Sequence, residues 1–272
     1  MNMAGRIGVE FGRAFLNLNR KKFDMKLIVR LLSVAVAALC PLALVWAQSS
    51  PSEKLPAAAS SAPARSEVYH VYFGKAAAGK AVQLAEMLKT PNPKDPMPGH
   101  FILLRHQEGD AWDYCLITHM GAKATVDATP LQVPAAMRDV SDWHNDTFVN
   151  GPSWEEFTRA MAISDDAKSK SRGSVYVVSV FRPTPGHRDD LEKILSAPPN
   201  RPSDTSAGTV LMQHLEGAPW TFLSVVRYNS WQDFATNDMN NVTQSNKNEG
   251  GWFAFRQYSA FHTDTLTDRI AP

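Results

Sequence analysis

The sequence is poor in cysteine, with two in 272 residues. Cys40 lies in an apolar segment that we expect to be removed, so the mature protein would keep Cys115 alone. An exported chain with one cysteine forms no internal disulfide, and its stability must come from a hydrophobic core. A chain of this size buries roughly 70% of its unfolded surface, which is sufficient. Cys115 lies in DYCLIT without a reactive-cysteine signature, which predicts a small buried side chain.

Several catalytic motifs are missing from the sequence: there is no P-loop, G-x-G-x-x-G, G-x-S-x-G or C-x-x-C. Nucleotide binding and serine-hydrolase chemistry therefore lose their usual support.

Basic residues are not in excess either. Residues 1–47 hold seven of the 28 Lys and Arg but two of the 27 Asp and Glu, so the rest of the chain is mildly acidic. This balance argues against nucleic acid as a partner, because its binding needs a basic face.

A long apolar run occurs near the N-terminus, from Leu31 to Ala47, after the basic stretch that begins at Met25 and before Gln48. This pattern predicts a secretory signal peptide over residues 1–47, with Met25 as a candidate natural start. We expect an exported protein, periplasmic or extracellular, that meets the membrane only through this segment before cleavage. An uncleaved anchor is the alternative, because the run is near the lower limit for a span. Residues 48–65 are rich in Pro, Ala and Ser and predict a disordered linker.

The remaining chain repeats itself. HQEGDAW at residues 106–112 returns as HLEGAPW at residues 214–220, and residues 68–88 align with residues 175–195. Each aligned segment begins with a β-rich aromatic run and continues, after a glycine, with apolar residues at helical spacing, which predicts a strand followed by an amphipathic helix. The H-x-E-G-x-x-W motif lies between two apolar runs, which predicts a hairpin.

A third echo relates RDVSDWHNDTF at residues 138–148 to RQYSAFHTDTL at residues 256–266. Aromatic residues before the second histidine are spaced as in a helix, and alternating threonines after it indicate a strand. Each echo thus predicts a helix that runs into a short final strand. The repeat divides the chain into a first unit, residues 66–165, and a second unit, residues 174–272.

Strand, helix, hairpin, helix and strand is the ferredoxin-like order. In this order and in its repeat, Val68 to Ile270 resembles the dimeric α/β-barrel superfamily, in particular NIPSNAP-like and antibiotic-biosynthesis-monooxygenase-like domains. The resemblance implies an α+β fold in which two tandem ferredoxin-like units pack sheet to sheet as a single-chain α/β barrel. It also implies a monomer with clefts between sheet and helices or inside the barrel. Members include cofactor-free oxygenases, haem-handling enzymes and proteins without known chemistry, so the fold does not choose a function.

The repeated hairpin motif provides four candidate ligand-binding residues: His106, Trp112, His214 and Trp220. A tight turn explains the glycine, and cross-strand contact explains the tryptophan. The recurring histidine and glutamate would share one strand face, but a metal site needs further ligands. We therefore expect no metal here, and the favoured interpretation of H-x-E is a paired or solvated strand end.

The repeated H-x-D-T motif provides the candidate catalytic residues His144, Asp146, His262 and Asp264. A histidine beside a carboxylate can act as a general base, and histidine can also bind haem or a metal. The alternative is a helix end at which Asp and Thr cap free amides. This structural interpretation is favoured.

Three functions remain open. The first is an exported barrel that binds a small apolar or aromatic ligand, or a partner, without turning it over. The second is a cofactor-free or haem-linked monooxygenase-like enzyme that uses the repeated histidines. The third is a structural duplicate without an active site. We rank them in this order, and haem is a cofactor that the resemblance alone introduces.

Overall fold

The computed structural model describes residues 64–123, 135–163, 173–198, 203–247 and 251–272. The predicted signal peptide lies outside these residues, as does the linker up to residue 63. Arg65, which the sequence assigned to the linker, packs against the second half of the chain. Its Nε donates a hydrogen bond to the Leu211 carbonyl at 3.2 Å, and its guanidinium pairs with the Glu192 carboxylate.

Eight strands and five α-helices make up the described fold. The first half runs β1 (Glu67–Ala76), α1 (Ala81–Lys89), β2 (Phe101–Glu108), β3 (Tyr114–Gly121), a 3₁₀ helix (Ala135–Asp139), β4 (Ser141–Gly151) and α2 (Trp154–Met161). The second half runs β5 (Val175–Pro183), α3 (Arg188–Leu195), β6 (Gly208–Glu216), β7 (Phe222–Tyr228), α4 (Trp231–Asn246), α5 (Gly251–Tyr258) and β8 (Ser259–Ala271). None of the helices in the described part of the chain has the length and apolar character needed to cross a membrane.

All eight strands belong to one antiparallel sheet that closes into a barrel. The first half contributes the order β4-β1-β3-β2, and the second half contributes the same order, β8-β5-β7-β6. The two halves are joined at their edges, where β2 pairs with β8 and β4 pairs with β6. The α+β prediction is thereby confirmed, with the qualification that hydrogen bonds between edge strands, and not face packing alone, hold the halves together.

The barrel interior is filled by side chains from alternate strand positions, as the two-residue period of a strand requires. Together with residues from α2 and from the turns, they form one buried cluster: Tyr69, Val71, Phe73, Ile102, Leu104, Trp112, Cys115, Ile117, Val149, Phe157, Met161, Ile163, Tyr176, Val178, Val210, Met212, Trp220, Leu223 and Val225. Burial of Cys115, predicted from the sequence, is confirmed, and it raises the pKa of the thiol. Separate outer clusters lie under α1, with Leu84 and Leu88, and under α3, with Leu191.

Helix α2 contributes to the same core from one end of the barrel. Ser153 begins it with a capping box, in which its hydroxyl accepts from the Glu156 amide while the Glu156 carboxylate accepts from the Ser153 amide. Phe157 and Met161 point from this helix into the core cluster. Buried tyrosine hydroxyls hold the surrounding backbone: Tyr176 donates to the Met161 carbonyl at 3.0 Å.

The strands around H-x-D-T differ from the prediction. In the second half α5 ends at Tyr258, and β8 is long, so Phe261 is in the strand and not in the helix. In the first half a 3₁₀ helix precedes β4 among the described residues. Asp146 and Asp264 therefore lie inside strands, and the helix-cap interpretation was wrong. Strand pairing supplies the backbone partners that a cap would have supplied.

Candidate functional site

The two hairpins pack against the two H-x-D-T segments of the opposite halves. Gly109 and Gly217 have φ values of 129° and 98°, which confirms the predicted turn geometry. A Cβ atom on Gly109 would lie 2.5 Å from the Asp264 carbonyl oxygen, and one on Gly217 would lie 2.4 Å from the Asp146 carbonyl oxygen. The H-x-E-G-x-x-W hairpin of each half thus contacts the H-x-D-T segment of the other half where the halves join, which explains why both motifs recur.

The four candidate ligand-binding residues of the hairpins lie in contacts within the protein. Trp112 and Trp220 are buried in the barrel core. The ring of His106 meets the edge of Trp112 with centroids 5.8 Å apart, and His214 meets Trp220 at 5.2 Å. Nε2 of His214 accepts a hydrogen bond from the Ala218 amide at 3.0 Å. These contacts give the hairpin residues a structural role.

The first H-x-D-T segment lies on the outer face of the barrel, where β4 pairs with β1. Three residues of each strand face one another across this pairing: His144 and Gly74, Asp146 and Tyr72, Phe148 and His70. The alternate residues of β1, including Val71, point into the barrel core. Pairing of these two strands therefore collects two histidines, a carboxylate and two aromatic rings on one surface, which we call the β1–β4 face.

Asp146 is the centre of the β1–β4 face. One of its carboxylate oxygens lies 2.9 Å from Nε2 of His70, and the other lies 3.1 Å from Nε2 of His144. The side chain of His144 is 47% exposed and that of Asp146 is 38% exposed, whereas His70 is 19% exposed. The carboxylate can accept a hydrogen from either imidazole, and His144 is the more accessible of the two histidines.

Tyr72 lies flat across the same face because Gly74 makes room for it. A Cβ atom on Gly74 would be 2.3 Å from the Tyr72 ring. The ring stacks on His144, with centroids 5.6 Å apart and planes 21° apart, and its hydroxyl lies 3.4 Å from the Ser141 hydroxyl. Burial raises the pKa of Tyr72, so its hydroxyl stays protonated at neutral pH and can donate a hydrogen bond.

The second H-x-D-T segment occupies the same register between β8 and β5 but has different neighbours. His262 faces Phe181, and Asp264 faces Ser179. The His262 ring stacks on Phe181 at 6.2 Å and meets the edge of Phe255 from α5 at 4.9 Å. Its Nε2 lies 3.5 Å from the Asp264 carboxylate, and its buried Nδ1 has no hydrogen-bond partner among the described residues. Aromatic side chains thus pack around this histidine.

Two residues of the β1–β4 face were missed by the sequence analysis as site residues. His70 and Phe148 received no role from the sequence, while Tyr72, at 7% exposure, belongs to the buried cluster under α1 as well as to this face. The missing information was the register between β1 and β4, which places His70 near Asp146 although 76 positions separate them. Within the described residues, no group of three or more His, Cys, Asp or Glu side chains is arranged to hold a metal ion.

No family model and no curated protein matches the sequence. The fold is similar to the crystal structure of an anthrone oxidase-like protein, at 11% identity and a TM-score of 0.50, over 76% of this chain and 93% of the other. It is also similar to candidate monooxygenases from Lactobacillus acidophilus (10% identity, TM-score 0.44, 75% and 94% covered) and Fusobacterium nucleatum (8%, 0.47, 75% and 93%). At these identities the likeness is one of fold, and the chain has an α+β fold consistent with the ferredoxin-like type.

Proposed function

We propose that this protein is a small-ligand-binding α/β barrel whose ligand lies against the β1–β4 face. The observation that supports the proposal is the Asp146 carboxylate, held between His70 and His144 beside the flat ring of Tyr72. Aromatic rings provide the contact area for a small apolar molecule, and a few polar groups fix its orientation. A planar aromatic ligand with a hydroxyl group satisfies both requirements.

The hydroxyl of such a ligand would meet the exposed side of the site. His144 is about half exposed and can donate to or accept from a ligand hydroxyl, since a neutral imidazole has one donor and one acceptor nitrogen. Asp146 limits the orientation of His144 by its contact with Nε2. Phe148 contributes ring surface and lies against His70 with centroids 5.2 Å apart, while Tyr72, which is 7% exposed, supports the His144 ring by stacking on it.

Calorimetric titration with 2-naphthol tests this proposal, because the two halves of the chain provide matched variants. We expect His144→Gln and Asp146→Asn to weaken binding by about tenfold, which corresponds to the loss of one hydrogen bond of about 1.4 kcal/mol. His262→Gln and Asp264→Asn, the matched controls, should leave binding unchanged. Equal effects of both pairs, or no 2-naphthol binding by the wild-type protein, would overturn the proposal.

A monooxygenase-like enzyme is the second candidate, favoured by the contact of an accessible imidazole with a carboxylate. Such a pair can take a proton from an acidic C–H group in a bound aromatic compound. Anthrone is the probe suggested by the likeness to an anthrone oxidase-like protein. Its CH₂ group would become a carbonyl, and one O₂ would yield that carbonyl oxygen and one water. If the wild-type protein consumes oxygen in the presence of anthrone and His144→Gln does not, the enzyme function is supported. If the protein binds anthrone without oxygen uptake, only the binding function remains.

Neither candidate requires a resident cofactor, and we propose none. A haem ligand needs a histidine nitrogen that faces open space, but Nε2 of His70 and Nε2 of His144 lie 2.9 and 3.1 Å from the Asp146 carboxylate. Nε2 of His214 accepts from a backbone amide. These three nitrogens therefore fit haem poorly. Absorption spectra with and without haemin test this, since a Soret shift that is lost in a histidine variant would make haem part of the protein.

We further propose that the two units, of the NIPSNAP-like or antibiotic-biosynthesis-monooxygenase-like type, arose by tandem duplication. Equal strand order supports the proposal, as does the match of register, in which His144 and His262 face the equivalent residues Gly74 and Phe181. The third hypothesis, a duplicate without a site, predicts that none of the aromatic probes binds.

Export and a monomeric state are also proposals. The signal-like segment that ends at Ala47 supports export, and mass spectrometry of the secreted protein should find Gln48 or a close neighbour at its N-terminus. Closure of the barrel within one chain supports the monomer, because both sheet edges are already paired. Light scattering after size-exclusion chromatography should give the mass of one chain.

A further inference from the structure

A second group of titratable side chains lies at the α2 end of the barrel, away from the β1–β4 face. Glu67 begins β1, His100 precedes β2, His119 lies on β3, and Trp154 begins α2. His119 is 2% exposed, whereas His100 is partly exposed. Neither the binding proposal nor the enzyme proposal uses these residues.

The three titratable groups form a chain of short contacts. A Glu67 carboxylate oxygen lies 2.8 Å from Nε2 of His119 and also accepts from the Trp154 backbone amide at 2.8 Å. Nδ1 of His119 then lies 3.2 Å from Nδ1 of His100. This series of contacts therefore runs from a carboxylate at the start of β1, through a buried imidazole, to an imidazole that reaches the surface.

These contacts determine where the hydrogens lie. Nε2 of His119 lies 2.8 Å from the Glu67 carboxylate but is not aligned with it for a hydrogen bond. The negative charge of the carboxylate still favours the hydrogen on this nitrogen, so Nδ1 is the acceptor, because neutral imidazole has one N–H. Nδ1 of His100 must then donate to it, which leaves a lone pair on Nε2 of His100. Burial lowers the pKa of His119 and so favours its neutral form.

Trp154 holds both imidazole planes. Its ring stacks on His100 with centroids 4.7 Å apart and planes 7° apart, and on His119 at 5.4 Å and 9°. The equivalent of His119 in the second half is Arg227, whose Nε donates to the Ala160 carbonyl at 2.9 Å. The paired histidines are therefore not a requirement of the fold, since the same position in the other half is filled by a cation that binds backbone.

We propose that Glu67, His119 and His100 form a second site, in which His100 binds the hydroxyl of an alcohol or phenol. His100 is the ligand-binding residue, and its Nε2 accepts the hydrogen bond. Glu67 and His119 are positioning residues that fix the tautomer of His100. Ligand binding at this second site needs no metal and no net charge on the ligand, because the acceptor is a neutral nitrogen.

Nitrogen-15 NMR of the folded wild-type protein tests the proposal, since it distinguishes a protonated ring nitrogen from an unprotonated one. We expect His100 in the Nδ1–H tautomer and a shift of its Nε2 signal on titration with phenol. His119→Phe keeps an aromatic ring and should lose both the tautomer and the phenol response, whereas the control His187→Gln should keep both. A wild-type His100 in the Nε2–H tautomer would overturn the proposed series of contacts, and that result does not depend on whether the variant folds. A correct tautomer without a phenol response would overturn the binding site.

Discussion

The two H-x-D-T segments occupy equivalent positions in the barrel but have unlike surroundings. Both lie on edge-joining strands, and each contacts a hairpin glycine of the opposite half. In the first half, His70 and Tyr72 turn the segment into a polar face around Asp146. In the second half, Phe181 and α5 pack around His262. Barrel assembly alone can therefore maintain the motif, while the neighbouring side chains decide whether it forms a polar face.

The end of the barrel near α2 shows the same contrast. His119 and Arg227 occupy equivalent places on β3 and β7, beside Tyr69 and Tyr176 on the neighbouring strands. His119 meets a carboxylate and a second imidazole, whereas Arg227 donates to the backbone carbonyls of Ala160 and Ala207. In both comparisons the first half holds the shorter contacts between titratable groups.

The largest expected effect tests whether the two hairpins are equivalent. Trp112→Ala and Trp220→Ala should each lower the free energy of unfolding by about 3 to 5 kcal/mol, because both rings fill the barrel core. Urea unfolding measures this loss. Trp231→Ala is the control, since its side chain is half exposed and a surface substitution changes stability by less than about 0.5 kcal/mol. A small effect at one hairpin alone would break the equivalence.

The next effect concerns the junction between the halves. Gly109→Ala and Gly217→Ala force a Cβ atom against backbone of the opposite half, so we expect a loss of about 1 to 3 kcal/mol beyond that of the turn itself. Gly79→Ala is the matched control, because Gly79 also has positive φ but nothing lies within 4 Å of its Cβ position. Equal losses in all three variants would mean that turn conformation, and not contact between the halves, explains the repeated glycine.

Much of this architecture could be predicted from the sequence, and much of the site could not. Period and turn chemistry identified the strand at Tyr69, the hairpin at Gly109 and the buried Cys115, because these signals are local. The place of His70 in the site depends on which residue of β4 it faces, and strand register is a non-local property. The helix-cap error at Asp146 has the same origin, since Asp and Thr favour caps locally but can also be held by a paired strand.

A pH effect on stability is expected at the end of the barrel near α2, where the first half holds His119. Burial lowers the pKa of His119 and the positive potential of His100 lowers it further, while Glu67 raises it. Between the lowered pKa and about 6.5, the unfolded chain binds more protons than the folded chain, so stability rises with pH in this window. The contribution is complete above the unfolded value and is lost as pH falls below it.

Urea unfolding from pH 7.5 to pH 5 measures this loss. His119→Gln should flatten the pH dependence over the window, whereas His187→Gln, at an exposed position, should keep the wild-type slope. An unchanged slope in His119→Gln would show that other groups cause the acid sensitivity.

The smallest effect converts one residue of the first half toward the second. Ser179 is the equivalent of Tyr72, so Tyr72→Ser removes the ring that lies over Gly74 and stacks on His144. The Tyr72 side chain is 7% exposed, so it acts on the ligand through the His144 ring on which it stacks. We expect 2-naphthol affinity to fall by about tenfold, or about 1.4 kcal/mol, when this stacking is lost. Tyr72→Phe keeps the ring and loses a hydroxyl whose neighbour, Ser141, is 3.4 Å away. At that distance the hydrogen bond is weak, so Tyr72→Phe should change affinity by less than about twofold and stability by less than about 0.5 kcal/mol.

If Tyr72→Phe weakened binding as much as Tyr72→Ser, the hydroxyl would be the group that contacts the ligand. The β1–β4 face would then differ from the second half through its polar atoms and not through its ring surface.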